Sequence, residues 1–341
     1  MPVKYWSAAG LMLTSWCNAA CASCYLCCSS RRGETMSVDF GLRVWRELQA
    51  TSPHGCRVHL SGGEPFGDWE RLVELCTRAC REGLGGPEKI ETNAFWAGDA
   101  AEVRRRVETL DKLGMGKLVI SADPYHQQFV PIERCRLAAR VAEEVIGRER
   151  VQVRWRDWLA SGFNTDALSA QRRKLLFARW SGDGRDRLNA RAAEMLGPLG
   201  QLKPVEEFVD CSCSEALLRS KHVHVAPEGS VIPGTCAGIV LGRAERESIG
   251  EIWQRLNAEY PRRRVVGRLS ADGPAGLLAD ACRQGFQPAD GYASKCHLCS
   301  EVRRFLFRKG LGGWELSPAW IYERQQQIAP DANADGIENV E

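Results

Sequence analysis

The sequence predicts an α/β fold built on a parallel sheet, and three observations lead there. From residue 11 to about 158, short apolar runs alternate with amphipathic stretches of helical period. Strands separated by helices need crossover connections, so they pair in parallel as a βα barrel or an open α/β sheet. After about residue 160 the alternation stops, and two β-like runs flank the turn "APEG" (226–229), which marks a second module.

The elements follow in order. "GLMLTSW" (10–16) reads as a strand, "SVDFGLRVWRELQATS" (37–52) as a helix and "CRVHLSGGEP" (56–65) as a strand with its turn. "DWERLVELCTRACREG" (68–83) is a helix capped by Asp68, since an aspartate before the first periodic residue satisfies free N–H groups. Further strands are predicted at 88–93 ("EKIETN"), 117–123 ("KLVISAD") and 151–158 ("VQVRWRDW"), with helices near 99–114 and 131–147. An Arg-rich helical stretch (167–197) leads to the hairpin region, then to the helix "ESIGEIWQRLN" (247–257) and to "KCHLC" (295–299). The tail beyond Pro330 is rich in Asp, Asn and Ala and is expected to fray.

Composition excludes several classes. With 44% hydrophobic and 26% charged residues the 341-residue chain can bury a large core and a smaller one. A net charge of +3, with Arg scattered along helices, does not imply nucleic acid. Residues 5–30 carry no charge and are long enough to span a membrane, but Asn18, several Ser and Thr and five cysteines argue for a buried strand and a loop in a cytoplasmic protein. The 15 cysteines are an odd total in a chain far longer than a disulfide-stapled scaffold.

Cys17, Cys21 and Cys24 form C-x-x-x-C-x-x-C directly after the first predicted strand. Three thiolates on one loop can grip three corners of an iron–sulfur cube and leave the fourth iron open. A structural zinc site completed by Cys27 or Cys28 is the alternative. Here the sequence resembles the radical SAM superfamily, whose loop of this spacing binds a [4Fe–4S] cluster with S-adenosylmethionine (SAM) on the open iron. Tyr25 matches the aromatic common after the third cysteine. Further segments resemble the family in order: "GGEP" (62–65), "TN" (92–93) and "SAD" (121–123), each at a predicted strand end. The resemblance covers roughly residues 11–158 and implies a partial (β/α)6 TIM-type barrel.

By that resemblance Cys17, Cys21 and Cys24 ligate the cluster. Gly62, Gly63 and Glu64, with Pro65, hold the methionyl amine, and Ser121 contacts the carboxylate or ribose. Asn93, Arg134 and Tyr25 are further expected contacts. His126 in "DPYHQQF" lies just past a strand end, where it suits substrate binding or proton transfer, or serves simply as a loop histidine.

Residues 211–236 resemble the start of the twitch and SPASM extensions of the same superfamily, which hold an auxiliary [4Fe–4S] cluster. Cys213, Gly229 and Cys236 match, and Cys296 and Cys299 supply the later C-x-x-C pair. No cysteine follows Cys299, so a twitch module with one auxiliary cluster fits better than a full SPASM domain. Cys211 competes with Cys213, Cys282 is a spare, and a zinc ribbon of the same four cysteines remains an alternative. The expected domains are thus 1–200 (barrel), 201–325 (auxiliary module, a β-hairpin plus helix) and 326–341 (flexible tail).

Cys76, Cys80 and Cys135 read as helix core residues and Cys56 as a buried strand residue. Cys27 and Cys28 follow the loop and either face the SAM cavity or pack behind it. "WRDWL" (155–159) either walls the pocket or fills the core. The resemblance implies reductive cleavage of SAM to a 5′-deoxyadenosyl radical and hydrogen abstraction from the substrate. The expectation is oxidation of a small polar, carbohydrate- or aminocyclitol-like molecule through the auxiliary cluster, with electrons from a flavodoxin or ferredoxin. An epimerase with a thiol hydrogen donor (Cys27, Cys28 or Cys135), a peptide-modifying maturase and a non-catalytic iron–sulfur or zinc protein are the alternatives.

Overall fold

The computed structural model describes residues 2–234 and 236–323; the expected flexible tail lies outside them. Five strand–helix units come first. They are β1 (Ala8–Met12), α1 (Val38–Thr51), β2 (Arg57–Ser61), α2 (Trp69–Arg81), β3 (Lys89–Thr92), α3 (Ala100–Lys112), β4 (Lys117–Ile120), α4 (Ile132–Ile146), β5 (Val151–Val153) and α5 (Arg156–Ser161). Asp68 caps α2 as expected, its carboxylate accepting from the Arg71 N–H, and Ser37 and Asp99 do the same for α1 and α3. The core lies between the sheet and these helices, around Leu11, Leu42, Trp45, Leu60, Leu72, Ile90, Val107 and Ile120.

The fifth strand is shorter than the sequence suggested. It ends at Val153, and the "WRDWL" segment turns into α5. Trp155 and Trp158, three apart, then point the same way into an aromatic cluster with Tyr125, Phe177 and Trp180, so they fill core. The Arg-rich stretch likewise forms two helices, α6 (Ala170–Ser181) and α7 (Arg191–Leu196), broken by a Gly182–Ala190 connection.

The second module begins with α8 (Ser214–Leu217). It continues through β6 (His222–Val225), β7 (Ser230–Pro233), β8 (Gly242–Arg243), α9 (Ile249–Glu259), α10 (Val266–Cys282) and α11 (Lys295–Arg308). Ser248 and Glu251 form a reciprocal capping box at the start of α9. The hairpin does not stand apart. Its strand β6 pairs in parallel with β1, giving one open eight-stranded sheet of order β5-β4-β3-β2-β1-β6-β7-β8. The sixth parallel strand of the α/β sheet is therefore contributed by the second module. Among the described residues no helix is long and apolar enough to cross a membrane.

Candidate active site

Parallel strands point their C-terminal ends the same way, so the loops after β1 to β5 meet at one edge of the sheet. There they enclose a cleft with about 680 Å³ of empty space, its open mouth included. Cys17, Cys21, Cys24, Tyr25 and Cys28 line it from the loop after β1, and Gly62, Gly63, Glu64 and Pro65 from the loop after β2. Asn93, Ser121 and His126 complete the residues that the sequence singled out. Arg134 is the exception: it is absent from the lining, and its guanidinium donates to the Phe95 carbonyl.

The cysteine loop is closed at its base, where the Cys17 N–H donates to the Ser29 carbonyl at 3.2 Å and Trp16 bridges Ser29. From below, Arg191 of α7, 2% exposed, donates to the Cys28 carbonyl at 3.0 Å and to that of Cys21 at 3.4 Å. Burial, then the neighbouring Cys21 and Glu64, push the Cys17 thiol well up. Cys24 is held well below the ordinary thiol range by the Cys28 thiol that bonds it and by Arg191. Cys27 is buried with its φ at 55° and stands behind the lining, its thiol pushed up to about 12 by burial.

The two glycines have a specific cause. A Cβ on Gly63 would sit 1.9 Å from the Trp16 carbonyl oxygen, and one on Gly62, at φ 136°, 2.6 Å from that of Thr14. Their absence of side chains lets the β2 turn lie against the cysteine loop, with Gly63 N–H donating to Thr14 at 2.6 Å and Glu64 N–H to Trp16 at 2.8 Å. The close approach is thus to the neighbouring backbone. Glu64, 1% exposed, accepts from the Thr92 hydroxyl (2.8 Å) and the Phe66 N–H (3.2 Å) on Oε1, and from the Asn93 N–H (2.6 Å) on Oε2. Burial outweighs these donors and lifts its carboxyl to about 7. The Asn93 amide donates to the Asn18 side chain at 2.8 Å and approaches Cys17 Sγ at 3.6 Å.

His126 Nδ1 lies 2.7 Å from Asp123 Oδ2. Burial opposes its charge, but Asp123 and Cys21 outweigh that and move it well above the ordinary histidine range. Glu91 and Arg154, which sequence reasoning missed, also line the cleft. Their signal was position alone: Glu91 precedes the "TN" segment, and Arg154 follows the last residue of β5.

A second cavity collects Cys213, Cys236, Cys296 and Cys299 with Arg187, Asn189, Lys295 and Arg303. Two of the thiols ride on the first turns of α11 and one on the turn before α8, so distant sequence segments converge. Burial first, and then mutual repulsion, push Cys213 up to about 12 and Cys236 to about 11, and raise Cys296. Four crowded soft donors that resist ionisation alone are a set that a bound cationic iron or zinc centre satisfies. Cys211 and Cys282 lie outside this cavity. Cys76 and Cys135 are buried as expected, whereas Cys80 is exposed because it falls on the outer face of α2, with its thiol directed to the Leu113 carbonyl.

Residues 9–137 match a protein family described as "4Fe-4S single cluster domain". The matched span holds Cys17, Cys21, Cys24 and the whole first cleft except Arg154, and it ends before the second cysteine set. Nothing among curated proteins matches the chain. Among solved structures, the chain is similar to BtrN in complex with AdoMet and 2-DOIA, at 16% identity over 78% of this chain and 89% of that one, TM-score 0.46. It is similar also to anSMEcpe with bound AdoMet and the Cp18Cys peptide (13%, 89% and 97%, TM-score 0.42). A third is Streptococcus suis SuiB bound to S-adenosylmethionine (12%, 84% and 77%, TM-score 0.38).

Proposed function

We propose that the chain is a radical SAM enzyme with an auxiliary [4Fe–4S] cluster, acting by oxidation on a small polar molecule. The observation that carries this reading is the convergence of Cys17, Cys21, Cys24, Glu64 and Asn93 on one cleft at the C-terminal strand edge. The family match over the same residues supports the cluster. When bound, a [4Fe–4S] cluster with SAM supplies one-electron cleavage to a 5′-deoxyadenosyl radical, which takes a hydrogen atom from substrate.

The chain's own residues do the positioning. Cys17, Cys21 and Cys24 would hold that cluster, and their loop is pinned by Arg191. Glu64 offers its carboxylate to the methionyl ammonium, oriented by Thr92 and the Asn93 N–H. Gly62, Gly63 and Pro65 shape the turn that carries it, while Tyr25, Asn93 and Ser121 complete the walls of the SAM site. Cys213, Cys236, Cys296 and Cys299 hold the auxiliary cluster, and residues 1–200 and 201–325 serve as barrel and auxiliary module. His126, fixed by Asp123, faces the cleft as a proton-transfer or substrate-binding group.

A neighbouring cavity with about 1070 Å³ of empty space, its open mouth included, supports a polar substrate. It shares Ser23, Tyr25, Glu91 and Arg154 with the first cleft and Arg187 with the auxiliary cysteine cavity. Its other lining includes Lys89, Gln152 and Asp186, side chains suited to hydroxyl, amine or carboxylate groups. A substrate held there would stand between the two cysteine sets, and a cluster held by Cys213, Cys236, Cys296 and Cys299 would supply one-electron redox chemistry on that side. Anaerobic incubation of reconstituted protein with dithionite and SAM tests the reading. It should yield 5′-deoxyadenosine, and its absence despite full iron loading would overturn it.

A further inference from the structure

Three of the chain's six histidines meet inside the sheet. His59 lies on β2, and His222 and His224 on β6, with β1 between those two strands. On β1 the residue paired with both His59 and His224 is Gly10. A Cβ there would come within 2.3 Å of His224 Cδ2 and 2.6 Å of His59 Nε2. Any other residue at position 10 would wedge the imidazoles apart. The ring centroids of His59 and His222 are 5.1 Å apart, and those of His222 and His224 4.5 Å.

We propose that His59, His222 and His224 form a binding site for a divalent transition-metal ion of the zinc type, with its open coordination side facing the cavity between the two cysteine sets. One ring nitrogen from each histidine lies within 4.8 Å of the others. Ligands on a tetrahedral ion at about 2.0 Å stand roughly 3.3 Å apart, so small rotations of the rings close the set. His224 Nδ1 is 2.7 Å from the Gly234 carbonyl, an arrangement that puts the proton on Nδ1 and leaves Nε2 its lone pair. His222 Nε2 is sealed from solvent with no hydrogen-bond partner among the described residues, and the His59 imidazole beside it is 2% exposed. Buried imidazoles used only for packing would be expected to find such partners.

Electrostatics agree with that geometry. Burial, and then each other's proximity, hold His59 down at about 2 and His222 at about 3, and burial lowers His224. All three are therefore neutral ligands at physiological pH. Lys89, which faces the same rings, is paired with Glu91 at 2.6 Å. Three nitrogen ligands leave positions for oxygen atoms, so the ion would take a substrate hydroxyl or carboxylate from the cavity. That substrate role rests on the function proposed above; the ion site itself does not.

The test uses cluster-loaded protein, desalted and incubated with zinc sulfate alone. One zinc per chain is expected with iron content unchanged, and the zinc absorption edge should report nitrogen and oxygen at about 2.0 Å without sulfur near 2.3 Å. His222→Ala and His59→Gln should each keep their iron and weaken zinc at least tenfold. No retained zinc, a sulfur shell, or wild-type zinc affinity in both variants would overturn the site. Zinc bound as expected in protein that forms no 5′-deoxyadenosine would leave the site standing and sink the radical reading alone.

Discussion

The Thr92 hydroxyl donates to Glu64 Oε1 at 2.8 Å, joining the end of β3 to the turn after β2. The same hydroxyl accepts from the Ala94 N–H and from Trp96 Nε1, each at 3.0 Å, so its proton is committed to the carboxylate. Thr92 therefore aims Glu64.

Replacing Glu64 by Gln should leave iron content unchanged and weaken SAM binding roughly ten- to hundredfold, the equivalent of losing a charge-assisted hydrogen bond of about 1.5–3 kcal/mol. Thr92→Val should weaken SAM in the same direction by less, since Glu64 keeps its charge. Equilibrium dialysis with labelled SAM measures both, and unchanged affinity in Glu64→Gln would contradict the assignment.

The Glu64 carboxyl, lifted by burial to about 7 from 4.5, also fixes a pH dependence. The folded state holds this proton more tightly than the unfolded chain, so in ligand-free protein the group's contribution to stability falls as pH rises from about 4.5 to about 7. SAM binding should move the opposite way, tightening from pH 6 to 7.5 as the carboxylate forms. Melting and binding curves of wild type against Glu64→Gln isolate both trends, and parallel curves for the two proteins would refute them.

The two cysteine sets should be removable one at a time. Reconstituted protein should hold about eight irons if both sites carry cubes. Cys17→Ala/Cys21→Ala/Cys24→Ala should lose about half the iron and all SAM cleavage, and Cys296→Ala/Cys299→Ala the other half. Cys211→Ser and Cys282→Ser should lose none, because both lie outside the second cavity. Iron and sulfide assays decide each case.

Cys28 is the remaining thiol that lines the first cleft; Cys27 and Cys135 do not. If the net reaction is oxidation, Cys28→Ala should still form 5′-deoxyadenosine and oxidised product, and solvent deuterium should not enter the substrate carbon. Deuterium incorporation that disappears in Cys28→Ala would make that residue a hydrogen donor and the reaction an epimerisation.

The first site was legible because its parts follow a local rule: C-x-x-x-C-x-x-C, "GGEP" and "TN" each sit at a strand end, and βα periodicity sends those ends to one edge. Asp68 as a cap and the hairpin around Gly229 were legible for the same local reason. Arg191 was not, because the segment between Gly182 and Ala190 brings it back beneath the cysteine loop from more than 160 residues away. The histidine triad was hidden more deeply. It depends on β6 lying beside β1, a pairing that joins two modules and leaves no mark in either stretch of sequence. The end of β5 was misread since Trp155 and Trp158 suit a strand end by composition and a helix face by spacing.

The pairing of β6 with β1 has an engineering consequence. Strand β1 carries the cysteine loop at its end, and β6 runs directly into the hairpin that leads to Cys236. Cutting the chain near residue 200 would strip β1 of its neighbour and bare a row of unpaired backbone groups, inviting aggregation. The C-terminal part of the chain thus behaves less like an appendage than like a stave of the same sheet. It cannot be exchanged for another by grafting at a linker, and the spacing between the two cysteine sets is set by the sheet rather than by a hinge.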